Sequence, residues 1–264
     1  MKKSCLIIFL FFSFLGFSQN EEITTFYDSK GNITKDPLQT RIIQKLTKEN
    51  DSLWLFRRFR RNNQLAVYWY SKTKDSKNKI GQMVTYDIND SISRILYYNE
   101  KGLKNGKFSS WFDNRNKNFE GRYINGKREG LWRRYYYSGE LAAKALFKND
   151  SLLSERFYEK NGEEKKINKN CCNSKPEFKG GIKKYRKIVQ KFVKGLNYNI
   201  KGSITVDYTI GVDGKLRNVR IYDVLPLELK NKIIDFFSKI NGWQPGFSGG
   251  REVPIQNSFT VYFK

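Results

Sequence analysis

Apolar and polar positions alternate along most of this chain. In residues 202–223, Ile204, Val206, Tyr208 and Ile210 alternate with Thr205, Asp207 and Thr209, and Leu216, Val219 and Ile221 resume an apolar face beyond Asp213-Gly214. A period of two reads as strands, and Asp-Gly between two such runs is a strong hairpin signal. The last strand, expected from about Val253 to Phe263, shows the same alternation through Ile255, Phe259, Val261 and Phe263. Two stretches change period to about 3.6. Ile182, Tyr185, Ile188, Val189, Phe192 and Val193 share one face of a helix expected over residues 180–195. Leu229, Ile233, Phe236, Phe237 and Ile240 predict a second helix over residues 227–240, stopped by Asn241-Gly242.

The middle of the chain repeats itself. Residues 105–112 (Asn-Gly-Lys-Phe-Ser-Ser-Trp-Phe) and 128–136 (Arg-Glu-Gly-Leu-Trp-Arg-Arg-Tyr-Tyr) share the pattern Gly-x-aromatic-x-x-aromatic-aromatic. Gly106 and Gly130 are 24 residues apart (130 − 106), and weaker copies start at Gly81 and Ser154. Each unit closes with a second short strand: 94–98, 120–124 and 143–147. Asn125-Gly126 and Asn149-Asp150 mark turns between units. A fixed period with Gly turns and aromatic strands signals stacked hairpins, which share a core that one hairpin cannot form alone. Residues 23–75 read as an irregular start of the same sheet.

Composition narrows the chemistry. The 264 residues suit one large or two modest domains, and 39% apolar content is enough to bury a core. Histidine is absent, which removes the commonest general base, the Ser-His and Cys-His pairs, and the commonest transition-metal ligand. No Gly-rich phosphate loop precedes a helix and no Gly-x-Ser-x-Gly elbow occurs, while Glu163-Glu164 sits in a charged loop. The expectation is a non-enzymatic protein without cofactor, metal or small-molecule substrate. The net charge is +24, from 50 basic and 26 acidic residues. The lysines are spread along the chain, so a solvated basic surface is expected and a nucleic-acid partner is not. Lys2 and Lys3, the apolar run Leu6 to Phe17, and Gly16 and Ser18 read as an export signal cleaved after Ser18. The run is shorter than the ~20 apolar residues of a membrane span. Periplasm or cell envelope is the expected location, with an uncleaved inner-membrane anchor as the alternative. Cys171 and Cys172 are adjacent, which does not suit an ordinary bridge.

The expected organisation is a signal peptide (1–18), a β-hairpin repeat region (19–165), a linker (166–177) and a C-terminal domain (178–264). Residues 125–136, and less fully 105–112, resemble MORN-like repeats of the YwqK type. Residues 176–264, a third of the chain, resemble the C-terminal domain of TonB. The words that carry this are Pro176-Glu-Phe-x-Gly-Gly181, Gly202, Asp213-Gly-Lys-Leu-x-Asn-Val219, Trp243-x-Pro-Gly246 and Phe259-x-Val-x-Phe263. Where that family has Tyr-Pro and a short helix, this chain has Leu196-Asn-Tyr-Asn-Ile-Lys-Gly202, with Asn199 in place of the proline.

The resemblance implies an α+β fold class: an all-β repeat followed by two helices on a three-stranded antiparallel sheet. It also implies that the last strand takes an extended segment of an outer-membrane receptor-type protein by strand addition. The partner-binding residues would be Val253, Ile255, Asn257, Ser258, Phe259, Thr260, Val261, Tyr262 and Phe263, with Ser258, Thr260 and Tyr262 outward. Pro254 suits the start of an edge strand. Strand exchange between two copies would use the same edge. Two further readings are a membrane-anchored energy transducer and a basic β-repeat protein for anionic envelope polymers, the latter marked by strong salt dependence.

Overall fold

The structure, a computed structural model, describes residues 22–37, 39–166, 173–196, 198 and 202–263. The apolar start, Cys171, Cys172 and Asn199 lie outside the described residues.

Residues 22–165 form one antiparallel meander of twelve strands, each hydrogen-bonded to its neighbours in sequence. β1 (Glu22–Tyr27), β2 (Ile42–Asn50), β3 (Leu53–Arg60), β4 (Leu65–Ser71), β5 (Lys79–Tyr86) and β6 (Ile92–Tyr98) make its first half. β7 (Gly106–Trp111), β8 (Lys117–Ile124), β9 (Lys127–Tyr135), β10 (Leu141–Lys148), β11 (Ser151–Tyr158) and β12 (Glu164–Lys165) make the second. The repeat glycines fall in the first half of alternate strands, β5, β7 and β9, for a backbone reason. Gly81, Gly106 and Gly130 have φ of 67°, 107° and 68°, where a side chain is strained. A Cβ at Gly130 would meet nothing within 4 Å. Gly130→Ala is therefore expected to cost about 1 kcal/mol from backbone strain alone. A urea midpoint corresponding to a loss above about 3 kcal/mol would show that crowding, not φ, fixes this glycine.

The shared aromatic core expected for the hairpins is divided. Phe56 and Trp69 stack at 5.1 Å beside Leu46. Trp132 gathers Phe108 at 5.4 Å, Tyr123 at 5.0 Å and Phe147 at 6.3 Å. Between these clusters the buried apolar positions on β5 and β6 are Val84 and Leu96, which carry no rings.

Eight further strands and two helices follow: β13 (Asn173–Ser174), β14 (Glu177–Phe178), α1 (Gly181–Lys194), β15 (Gly202–Ile210), β16 (Leu216–Ile221), α2 (Leu227–Lys239), β17 (Trp243–Gln244), β18 (Gly246–Ser248), β19 (Arg251–Val253) and β20 (Ile255–Phe263). Both helices lie within a residue of their predicted spans. The expected α+β fold class is overturned. Strands dominate the described residues, and the C-terminal part is divided among three small sheets, β13-β18-β19, β14-β17 and β16-β15-β20. The extra sheets arise in stretches read as loop and linker. Gly249 and Gly250, at φ 60° and 76°, turn the chain so that β18 pairs with β19. Pro254 has no N–H to donate and separates β19 from β20, so the single last strand expected from Val253 is two strands.

One apolar core joins these pieces. Ile204, Val206, Tyr208 and Ile210 of β15 are buried with Tyr185 and Val189 of α1 and Leu229, Ile233 and Phe237 of α2. Each such side chain contributes about 2 kcal/mol on burial. Phe192 and Phe236 stack at 3.8 Å and join the two helices.

Strand alternation puts the β3–β4, β5–β6, β7–β8 and β9–β10 turns at one end of the large sheet. This turn row meets β16 along its length. Arg217 Nη1 donates to Tyr137 Oη at 3.3 Å, and Asn218 Nδ2 to Asp113 Oδ2 at 3.3 Å. Arg220 Nη2 donates to Asn89 Oδ1 at 3.2 Å, and Arg61 Nη1 to Asp223 Oδ1 at 3.1 Å. Arg251 of β19 completes the junction and is 2% exposed. Its Nε donates to the Tyr135 carbonyl at 2.6 Å, Nη1 to the Ser248 carbonyl at 2.7 Å, and Nη2 to Asn118 Oδ1. The guanidinium also lies over Phe119, 4.8 Å from the ring centre.

Candidate functional site

In the sheet β16-β15-β20 the middle strand is β15, so β20 has a partner on one side only. The other outer strand, β16, is held against the turn row. β20 therefore offers a free edge among the described residues.

The groups on that edge follow from two hydrogen bonds. In an antiparallel pair, the N–H and C=O of one residue point to the same side, and successive residues alternate. The Ser258 N–H is taken by the side-chain oxygen of its neighbour Asn257 at 2.9 Å, so it does not bond β15. Thr260 lies opposite Thr205 in the register. The Thr205 N–H turns to the β16 side, where Asp223 Oδ2 accepts it at 2.9 Å. Both observations give the same phase. Ile255, Asn257, Phe259, Val261 and Phe263 bond β15, while Gln256, Ser258, Thr260 and Tyr262 direct their backbone groups to the free edge.

Side chains alternate as well. Phe259 packs on Tyr185 at 5.0 Å, and Val261 and Phe263 are buried, so one face of β20 is fixed in the core. Gln256, Ser258, Thr260 and Tyr262 are exposed, Tyr262 to 71%. The structure thus brings together eight of the nine residues expected at the site. Val253 stands apart: it belongs to β19, is buried and pairs with Gly246. Gln256 is the edge residue that sequence reasoning missed, although the period of two that selects Ser258 and Thr260 also selects position 256.

The edge ends in a basic setting. Asn257 and Ser258 border a cleft that Arg60, Arg61 and Arg220 also line. Burial lowers the Arg60 pKa, and the neighbouring Tyr222 and Asp87 oppose the shift. Arginine still stays charged at neutral pH. Burial likewise raises the Tyr222 pKa, so that hydroxyl remains a neutral donor.

The site is suited to non-covalent pairing: a row of backbone donors and acceptors, one exposed aromatic ring and a cationic end. Among the described residues no group of three or more Cys, Asp or Glu is placed to hold a metal ion, and no helix is long and apolar enough to cross a membrane. No protein-family model matches the chain, and no curated protein matches it either.

Proposed function

We propose that this is a non-enzymatic protein of the cell envelope that captures an extended segment of an outer-membrane partner by strand addition to β20. The observation that carries this reading is the asymmetry of the small sheet. One outer strand is committed to the turn row, and the other has a side with no strand partner among the described residues, on which Asn257 already takes the Ser258 N–H. Main-chain hydrogen bonds would supply affinity, and the alternate side chains Ser258, Thr260 and Tyr262 would supply selectivity. The sequence words shared with the TonB C-terminal domain and the signal-like start support the choice of partner and compartment. A large sheet that grips β16 would keep the docking strand straight and in place.

Thr260→Pro tests this. The Thr260 N–H faces outward, so proline leaves the β15 ladder intact, as on natural edge strands. It removes one donor and sets a ring against the incoming backbone. Outer-membrane proteins solubilised from the native envelope should be retained by the wild-type chain and lost, at least about tenfold, by the folded variant. Equal retention by both would sink the proposal. Sedimentation of the two forms separates the other occupant of this edge: a wild-type dimer that Thr260→Pro dissociates would make a second copy the strand donor.

A further inference from the structure

The cleft beside the edge has a volume of about 310 Å3. Arg41, Arg60, Arg61 and Arg220 line it, against one lining carboxylate, Asp207. Two of these arginines already have work in the fold. Arg61 is paired with Asp223. Arg60 donates to the Tyr86 carbonyl at 2.8 Å and to the Leu65 carbonyl at 3.3 Å. Arg220 reaches only neutral groups, the Asn89 side chain across the junction and the Tyr222 hydroxyl beside it. The Arg41 guanidinium has no hydrogen-bond or ion-pair partner among the described residues. Asp207 stands opposite Arg220 in the register, yet the two make no ion pair. Arg60 is also faced by Asp87 and Asp90, so the positive charge left over is that of Arg41 and Arg220 against Asp207, in a recess between two packed units where attraction for an anion is stronger than on open surface.

The position of the recess selects the anion. One wall of it is Gln256, Asn257 and Ser258, near the start of the free edge. A strand laid along β20 has one end beside these residues, on the rim of the cleft, with the arginines across the sheet face toward β16 and the turn row. We infer that the cleft takes a carboxylate carried by that strand: the captured segment is acidic at the end that lies beside Gln256 to Ser258. Guanidinium groups suit this because their paired N–H donors match the two oxygens of a carboxylate. The inference rests on the reading of β20 as a docking edge.

Two kinds of probe separate the cleft from the edge. Tetra-aspartate reads the cleft alone. A decapeptide of alternating Thr and Val, with Asp-Asp or Asn-Asn at either terminus, reads both. The proteins are the full chain, the double variant Arg41→Gln/Arg220→Gln, the single variant Arg41→Gln, Thr260→Pro, and Lys183→Gln/Lys187→Gln on α1 as a control of equal charge change. We expect one placement of Asp-Asp to bind about tenfold more tightly than its Asn-Asn counterpart, with the other placement gaining little. The arginine double variant should lose that gain, and the lysine control should keep it. Arg41→Gln alone, which removes no hydrogen bond or ion pair among the described residues, should lose part of it. Tetra-aspartate should raise the melting midpoint of the wild type and of Thr260→Pro but not of the arginine double variant.

Equal binding of Asp and Asn peptides, abolished by Thr260→Pro, would leave the docking edge standing and overturn the carboxylate site. A gain that the arginine double variant abolishes, with peptide binding indifferent to Thr260→Pro, would keep the carboxylate site and overturn the docking edge. A gain that survives in the arginine double variant, or disappears equally in the lysine control, assigns it to general surface charge and overturns the inference. Failure of tetra-aspartate and every decapeptide to bind overturns both.

Discussion

Replacing Arg251 by alanine is expected to cost about 3 kcal/mol and to release the C-terminal unit from the large sheet. The side chain is almost fully buried and has no carboxylate partner among the described residues; its donors go to the Tyr135 and Ser248 carbonyls and to Asn118. Burial, and then the nearby charge of Arg134, lowers its pKa to about 10, so it is held as a cation against a desolvation cost. Truncation removes that cost but strands several buried acceptors and vacates the space over Phe112 and Phe119. Stranded acceptors dominate, because each loses its bond to water as well as to the guanidinium. Arg251→Met, which fills the space without donating, should be nearly as damaging as alanine. Arg251→Lys should recover less than half, since one ammonium cannot serve three directions. The measurement is urea unfolding followed by tryptophan fluorescence, with limited proteolysis to detect the freed unit. An unchanged midpoint and cleavage pattern for Arg251→Ala would show that the other junction bonds suffice.

Gly214→Ala is expected to be at least as severe, about 3–4 kcal/mol, and confined to the C-terminal unit. Gly214 has φ of 70° in the turn between β15 and β16, and strain there costs about 1 kcal/mol for any other residue. Crowding adds more. A Cβ would lie 2.1 Å from the carbonyl oxygen of Trp243, a backbone atom that cannot swing aside. Trp243 is buried, with Tyr185 at 5.0 Å and Phe178 at 5.4 Å, so moving its backbone disturbs the aromatic centre of the core. Overpacking of this kind costs about 1–3 kcal/mol. Thermal unfolding of Gly214→Ala beside Gly130→Ala separates the two contributions, since Gly130 has the φ without the contact. Equal losses for both variants would remove crowding from the account.

These two residues also show how far local sequence reaches. Asp213-Gly214 announces a turn because the φ requirement belongs to the turn itself. The repeat glycines are readable for the same reason, and so are the two helices, whose apolar faces are written within fourteen residues. What Gly214 touches is not local: Trp243 lies 29 residues on (243 − 214). Arg251 carried no signal, since an arginine after Gly249-Gly250 looks like any solvated loop residue. Only the folded chain carries it into the junction. Arg61, Asn89, Asp113 and Tyr137 are ordinary turn residues one at a time. Their common purpose appears when the meander aligns them in a row and β16 lies across it. The edge of β20 was partly readable. Alternation found Ser258, Thr260 and Tyr262, but Pro254 was taken as a beginning inside one strand, and it is a boundary between two.

The turn row also sets an order of assembly. Every pairing from β1 to β12 joins strands that are neighbours in sequence, so each hairpin closes a short loop and the sheet grows by local steps. The junction is different: Arg217 meets a residue 80 positions away, and Arg61 meets one 162 positions away. Such distant contacts reward the chain only after the entropy of closing large loops has been met. No turn row exists until several hairpins stand side by side, so β16 has nothing to dock on in a partly built sheet. The proposed capture by β20 would thereby be conditional on a completed platform, and a chain with a damaged repeat would present β20 without the support that orients it.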